Sequence, residues 1–285
     1  MIWSCGDHRL DLERKGLILG ILNVTPDSFS DGGRYATLDA ALRQAERMIE
    51  EGAAIIDVGG ESTRPGADEV AAEVETERVV PVITEIVREF PSTLISIDTS
   101  KPPVGRAAIE AGARILNDVT GFRDPEMRAL AAGTGAGVIS MHMKGTPRTM
   151  QENPTYRDVV AEVREFFEKC YRELVEDGVR DEAIVFDPGI GFGKTVQHNL
   201  ALLGSLPELV VEDRPLLLGV SRKSFIGKVL DSDRLEDRFW PTVAITSYAR
   251  ERGVRLHRVH DVRPNAEALR MTEAILNTPP PSPRR

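Results

Sequence analysis

Cysteine is scarce in this chain. Its 285 residues hold two, Cys5 and Cys170, far apart and in no metal-ligand spacing. A disulfide framework is therefore not expected, and reduced thiols in a cytoplasmic protein are. Positive charge is also in deficit, with 36 Lys and Arg against 45 Asp and Glu and a net charge of −9. That balance argues against nucleic acid as a partner, so an anionic ligand would need a local cluster of donors. Long apolar runs are missing too. The longest, around Gly16–Val24, is far short of the roughly 20 residues that span a bilayer. The first residues, Met1-Ile2-Trp3-Ser4-Cys5-Gly6-Asp7-His8, lack the basic region and apolar stretch of a secretory signal, so no membrane association is expected. His142, His198, His257 and His260 lack close ligand spacing, which disfavours zinc; carboxylates and amides favour Mg²⁺ if a metal binds. No G-x-S-x-G elbow is present, which disfavours a serine hydrolase.

What is present is an ordinary globular composition, 41% hydrophobic and 28% charged, long enough for a large core. Short apolar runs alternate with longer amphipathic ones. Strands are predicted at Leu17–Asn23, Ala54–Val58, Leu94–Asp98, Arg114–Asp118, Gly137–His142, Ala183–Asp187, Pro215–Val220 and Val254–His260. Most are near-continuous Val/Ile/Leu runs, the pattern of strands buried on both faces. Helical patterns lie between them, among them Leu38–Glu51, Val70–Glu89, Asp158–Asp177 and Arg238–Arg252, with a last one at Pro264–Leu276. This alternation points to an α/β protein built as a single (β/α)8 TIM barrel, although periodicity alone leaves an open doubly wound sheet as the alternative. Residues 1–16 are expected to cover the barrel bottom, 17–277 to form the barrel, and the Pro-rich 278–285 (TPPPSPRR) to be a disordered tail.

The polar residues fall in a pattern. Nearly every apolar run ends, on its C-terminal side, in a group able to hydrogen-bond or ionise: Asn23, Asp57, Asp98, Asn117 with Asp118, His142, Asp187, Ser221 to Lys223, and Arg258 with His260. One such Asp is ordinarily a helix N-cap, a role expected here of Asp118. Eight polar strand ends in succession exceed what capping explains, and barrel active sites are built at those ends.

Several loops add chemistry. Asn23–Gly33 (NVTPDSFSDGG) is rich in Ser, Asp and Gly, and its Phe29 would need cover, so it reads either as a surface loop or as a lid. Asp57–Ala67 (DVGGESTRPGA) offers Thr63 and Arg64 to phosphate or carboxylate, or simply a solvated charge. Asp187–Thr195 (DPGIGFGKT) imitates a P-loop but carries Pro188 where that motif needs its first Gly, so the nucleotide reading fails. Val220–Phe225 (VSRKSF) brings a Lys, Ser224 and backbone N–H groups to a helix start suited to an anion. In Arg258–Val262 (RVHDV), alternation turns Arg258 and His260 to one side.

Taken in order, GILNVTPDSFSDGG (Gly20–Gly33), DVGGESTRPGA, SIDTSK (Ser96–Lys101), NDVTGF (Asn117–Phe122), MHMKGTPRTMQ (Met141–Gln151), DPGIGFGKT, GVSRKSFIG (Gly219–Gly227) and RVHDV closely resemble the dihydropteroate synthase family over about Leu17–Leu276. The resemblance implies a barrel that joins a dihydropterin pyrophosphate to para-aminobenzoate with release of pyrophosphate. It implies a pterin pocket of Asp98, Asn117, Asp187 and Lys223 near Met141, and a pyrophosphate site of Thr63, Arg258 and His260, with Asn23 contributing to Mg²⁺. The aminobenzoate would lie among Phe29, Arg64, Pro65, Phe192, Lys223 and Ser224. Catalysis would fall to Asp98, Lys223, Arg258 and His260, in a homodimer. One departure is Glu236–Thr242 (EDRFWPT), with Trp240 and Pro241 where the family has a Gly-Thr or Gly-Ser step near its dimer region. A folate-dependent methyltransferase domain and a non-catalytic pterin-binding protein are the competing readings. Neither accounts for the full set of leaving-group residues.

Overall fold

A computed structural model describes residues 1–25, 33–62, 66–146 and 148–279, the side chains of 33–37 excepted. Two strands, β1 (Ile2–Cys5) and β2 (His8–Asp11), form an antiparallel hairpin. Then β3 (Leu17–Asn23), β4 (Ile55–Gly59), β5 (Leu94–Asp98), β6 (Ile115–Asp118), β7 (Gly137–Met141), β8 (Ile184–Asp187), β9 (Leu217–Leu218) and β10 (Leu256–Val259) form one sheet. Its order is β8-β7-β6-β5-β4-β3-β10-β9 and its ladders are parallel. A parallel bridge between Phe186 and Leu216 joins the two ends of that order, backed by a bond from Phe186 N–H to the Pro215 carbonyl. The sheet is a barrel; the open doubly wound alternative does not hold.

Helices follow the strands: α1 (Gly33–Glu50), α2 (Ala72–Glu89), α3 (Pro102–Glu110), α4 (Pro125–Thr134), α5 (Val159–Glu176), α6 (Val196–Gly204), α7 (Ser224–Val229), α8 (Phe239–Glu251) and α9 (Val262–Leu276). Strand boundaries agree with the sequence reading to within one residue, except at β9 and β10, where ends move by two. The predicted Pro215–Val220 contracts to two residues; Pro215 has no N–H to give a ladder. His260, placed inside the last predicted strand, lies just beyond β10.

The hairpin before β3 was not anticipated as strands. Trp3 is fully buried, and its indole N–H donates to the carbonyl of Ala183, just ahead of β8, at 2.8 Å. Trp3, Cys5 and Leu12 pack with one residue from each barrel strand, from Leu19 of β3 round to Leu256 of β10. That ring is the apolar floor of the barrel interior. Because strand side chains alternate, the next inward residue is two positions on. Those residues are Ile21, Asp57, Ser96, Asn117, Met141, Asp187, Gly219 and Arg258. One step up the barrel, the interior changes from hydrocarbon to charge. The outward faces of the strands pack on the helices in a separate, larger core.

Truncating the floor should be costly. Trp3→Ala removes a buried ring and leaves the Ala183 carbonyl without its indole donor, and is expected to lower unfolding free energy by about 3–5 kcal/mol. Urea denaturation measures it, and a loss under about 1 kcal/mol would mean the hairpin contributes little to the barrel.

Candidate active site

The charged storey is organised by one guanidinium. Arg258, on β10, donates through Nε to Asp57 Oδ2 at 2.6 Å and through Nη2 to Asp98 Oδ2 at 2.6 Å. Asp57 is fully buried, and Asn117 adds its Nδ2 at 3.3 Å from both of its oxygens. Asp57, named in the sequence only as a polar strand end, is thus the anchor of the site. Burial pushes the Asp98 carboxyl up, to about 7, with Arg258 opposing and Asp57 adding to the rise. For Arg258, burial acts to lower its pKa, but the adjoining carboxylates of Asp57 and Asp98 raise it above the ordinary value. Two acceptors remain: Asp98 Oδ1 is buried and has no hydrogen-bond partner among the described residues, and the Asn117 amide donates to Asp57 through its nitrogen, which leaves its oxygen for another group. Ser96 Oγ, in the same storey, is also buried and unpartnered.

A second group stands across the mouth. Asp187, ending β8, accepts the Gly189 N–H at 2.7 Å; burial raises its pKa, against the pull of Lys223. Lys223 reaches from the turn before α7 to the Ile190 carbonyl, and its ammonium lies 4.5 Å from the centre of the Phe192 ring. Burial lowers the Lys223 ammonium to about 8, with Asp187 resisting. Gly219 separates the two groups without filling the space: a Cβ there would lie 3.7 Å from Asp187 Oδ2 and 3.8 Å from Arg258 Cβ. Met141, with Val119, Met143, Met150 and Phe192, forms a small apolar cluster beside them. Aromatic cover, hydrocarbon and convergent polar groups in one concavity are the makings of a site for a flat polar heterocycle.

The remaining predicted residues are placed as follows. Asn23, at the end of β3, directs its amide oxygen to the space left by Gly59, 3.6 Å from where a Cβ would stand, with Asp98 Oδ2 3.9 Å from the same point. His260 is tied to the β9 side, where Ser221 Oγ lies 3.1 Å from its N–H and 3.0 Å from its Nδ1. Ser224 is exposed as the first residue of α7. Phe29, Thr63, Arg64 and Pro65 lie outside the described residues, as does the lid suggested for 23–33 beyond Thr25. The base of the second loop is described: Lys101 bonds Glu61 at 2.7 Å and buried Glu75 at 2.6 Å, and Glu61 also accepts the Val70 N–H at 2.7 Å.

Two strand-end residues turn away from the mouth. Asp118 accepts from Thr120 N–H and Oγ1 and from Phe122 N–H, so it caps a turn, while the N-cap of α4 is Asp124. The His142 ring is buried beside Lys194, and burial together with that neighbour lowers its pKa to about 2.

The chain matches the model of the pterin binding enzyme family over residues 19–260. It is 47% identical over 260 residues to the dihydropteroate synthase of Escherichia coli K12, covering 91% of this chain and 92% of that one. Among solved structures, the Yersinia pestis dihydropteroate synthase in a sulfonamide drug complex superposes with a TM-score of 0.91 at 42% identity, over 98% of this chain and 100% of that chain. The Xanthomonas albilineans dihydropteroate synthase with 4-aminobenzoic acid gives 0.90 at 41% identity, over 98% and 99%.

The counter-ion arrangement makes a signed prediction. Arg258→Met leaves Asp57 and Asp98 buried without their cation, an expected loss of about 3–5 kcal/mol at pH 8. The raised pKa of Asp98 means its ionised form is the penalised one, so stability falls as pH rises through about 7. The variant's deficit should therefore shrink at pH 5.5, where Asp98 takes a proton; urea titrations at the two pH values measure it, and a pH-independent deficit would contradict the assignment. With eight motifs in order, a polar storey above an apolar floor, and these likenesses over nearly its whole length, the chain belongs to the dihydropteroate synthase family.

Proposed function

We propose that this protein condenses 6-hydroxymethyl-7,8-dihydropterin pyrophosphate with para-aminobenzoate to give 7,8-dihydropteroate and pyrophosphate, a transferase step of folate biosynthesis. The observation that carries the reading is the pairing of an open carboxylate face with cations in one buried mouth. Asp98 Oδ1, the Asn117 oxygen and Asp187 are acceptors matched to the ring N–H and amino groups of a pterin. Lys223, 4.5 Å from the Phe192 ring centre, stands where a second, anionic aromatic can meet both cation and ring.

The bond that breaks joins the pterin methylene to a pyrophosphate oxygen, and the bond that forms joins that carbon to the aniline nitrogen. Ring electrons stabilise positive charge at the methylene, and the buried carboxylate of Asp98 favours that charge. Arg258 favours the ionised form of Asp98 against its burial and holds it in place, while His260, fixed by Ser221, faces the leaving group. The aniline nitrogen is already nucleophilic, so its proton can pass to solvent after attack. Among the described residues no group of three or more His, Cys, Asp or Glu forms a metal cage. A Mg²⁺ carried by the pyrophosphate fits the donor type instead, with the Asn23 amide oxygen as its protein contact. Bound there, it would offset the charge of the departing anion.

We also infer a homodimer in the cytoplasm. Leu203, Phe225, Ile226, Pro241, Ile245 and Tyr248 line an apolar cleft of about 300 Å³ between α6, α7 and α8. Leu200, Val229 and Leu230, also in its lining, are half-exposed, and Trp240, next in sequence to Pro241, is 71% exposed. An apolar patch of that kind marks a contact surface. Both cysteines are free and buried, in keeping with a reducing compartment.

Three measurements test these readings. Single-turnover mixing with both substrates should release one pyrophosphate per dihydropteroate formed, and pyrophosphate without pteroate would refute the transferase reading. In Asp187→Asn the affinity for a plain pterin, read by calorimetry, should fall roughly ten- to a hundredfold with folding unchanged, from the loss of charge-assisted bonds; equal affinity would remove Asp187 from the pocket. For the assembly, Trp240→Glu is expected to shift the mass by light scattering from dimer toward monomer, and an unshifted mass would place the contact elsewhere.

A further inference from the structure

The loop after β8 carries an unusual buried cation. Residues 189–193 have no regular structure, yet side chains take up every one of their carbonyls. Gln151 Nε2 donates to Gly191 O at 2.6 Å, Tyr156 OH to Gly193 O at 2.8 Å, and Lys223 Nζ to Ile190 O. The other two, Gly189 O at 3.0 Å and Phe192 O at 2.9 Å, both accept from Lys194 Nζ. The same ammonium lies 2.9 Å from His142 Nδ1 and 3.3 Å from His142 O, at the end of β7. Lys194 is 3% exposed and, among the described residues, its hydrogen-bond partners are three carbonyls and an imidazole rather than a carboxylate.

A charge so placed is costly, and a lysine that served only packing would be replaced by methionine without penalty. Burial, with Lys223 nearby, lowers its pKa well below the ordinary value. Its donors span the turn from one end to the other and fasten it to the neighbouring strand. The backbone leaves little freedom besides: Gly189 has φ +63°, and a Cβ there would stand 2.0 Å from the His142 carbonyl oxygen. What the clamp holds in register are the Ile190 carbonyl, which meets Lys223, and the Phe192 ring, which lies against the same ammonium.

We propose that Lys194 is a positioning residue for the second substrate: by clamping Gly189 and Phe192 to His142, it sets Phe192 and Lys223 at the spacing an anionic aromatic amine requires. The proposal rests on the synthase reading above. It separates the two substrates physically, because Asp98 and Asn117 sit on strands away from the clamp and Asp187, on the end of β8, meets the clamped loop only through the Gly189 N–H, whereas Phe192 belongs to that loop.

Lys194→Met, similar in length but without donors, is compared with the unaltered full-length enzyme. The KM for para-aminobenzoate is expected to rise tenfold or more, while calorimetric affinity for a plain pterin stays within about twofold. Lys194→Gln, which keeps an N–H donor pair, should show the same split to a smaller extent. An unchanged KM in Lys194→Met overturns the proposal. So does an equal weakening of both ligands, or loss of folding in both variants, since either makes Lys194 a residue of general stability. Absence of turnover in the unaltered enzyme would count against the synthase reading instead, and so is distinguishable.

Discussion

The structure depends on holding opposite charges together inside a barrel. Asp57 stands one storey, and Asp98 two, above a ring of hydrocarbon that closes the interior from below. Ionised carboxylates there lose most of their hydration, and only a partner with matching geometry makes the arrangement stable. Arg258 is that partner, reaching from β10 to β4 and β5 with separate nitrogens at 2.6 Å. An arginine suits this because its fork offers fixed donors in one plane, where a lysine would bring a single point charge on a flexible stem. With the knot tied, Asn117 is oriented by Asp57, and one Asp98 oxygen is left without a partner among the described residues.

From that constraint follows a division within the mouth. The inner side is built on strand ends, held by the hydrogen bonds of the barrel ladders. The outer side is built on loops, and irregular backbone near a buried site needs donors for its carbonyls. The two lysines of the 187–195 and 220–225 motifs supply several of them. Lys223 donates to one carbonyl from the ligand side, and Lys194 to two from behind. Opposite, the pairing of Lys101 with Glu61 and Glu75 anchors the base of the 57–67 loop. A site of this design suits a first substrate held by fixed acceptors and a second held by adjustable cover.

Much of this was legible in the sequence. Near-continuous Val/Ile/Leu runs gave six of the eight barrel strands to within a residue or so, and a polar residue at each strand end marked the face that carries the site. Alternation also indicated that Arg258 faces inward, but not what it meets, since β10 and β4 lie about two hundred residues apart in the chain. Asp57 was visible only as one more strand-end acid for that reason. Lys194 was set aside with a failed P-loop comparison, and no local signal tells a buried clamp from a solvated lysine. The hairpin before β3 could have been found: Trp3 and Cys5 alternate ahead of a Gly6-Asp7 turn, and Gly6 adopts φ +61°. Asp118 shows the opposite limit, a polar strand end whose partners are its own next residues.

The central claim is that Arg258 is the shared counter-ion on which the buried acids depend. A double-mutant cycle between Asp57→Asn and Arg258→Met, read by urea denaturation at pH 8, tests it most directly. Each single change should be strongly destabilising, and the pair together should cost less than their sum by about 2 kcal/mol or more, because the second change removes a charge the first left unpaired. Additivity within about 0.5 kcal/mol would show that the two side chains contribute independently, and the knot would not be the organising interaction of the site.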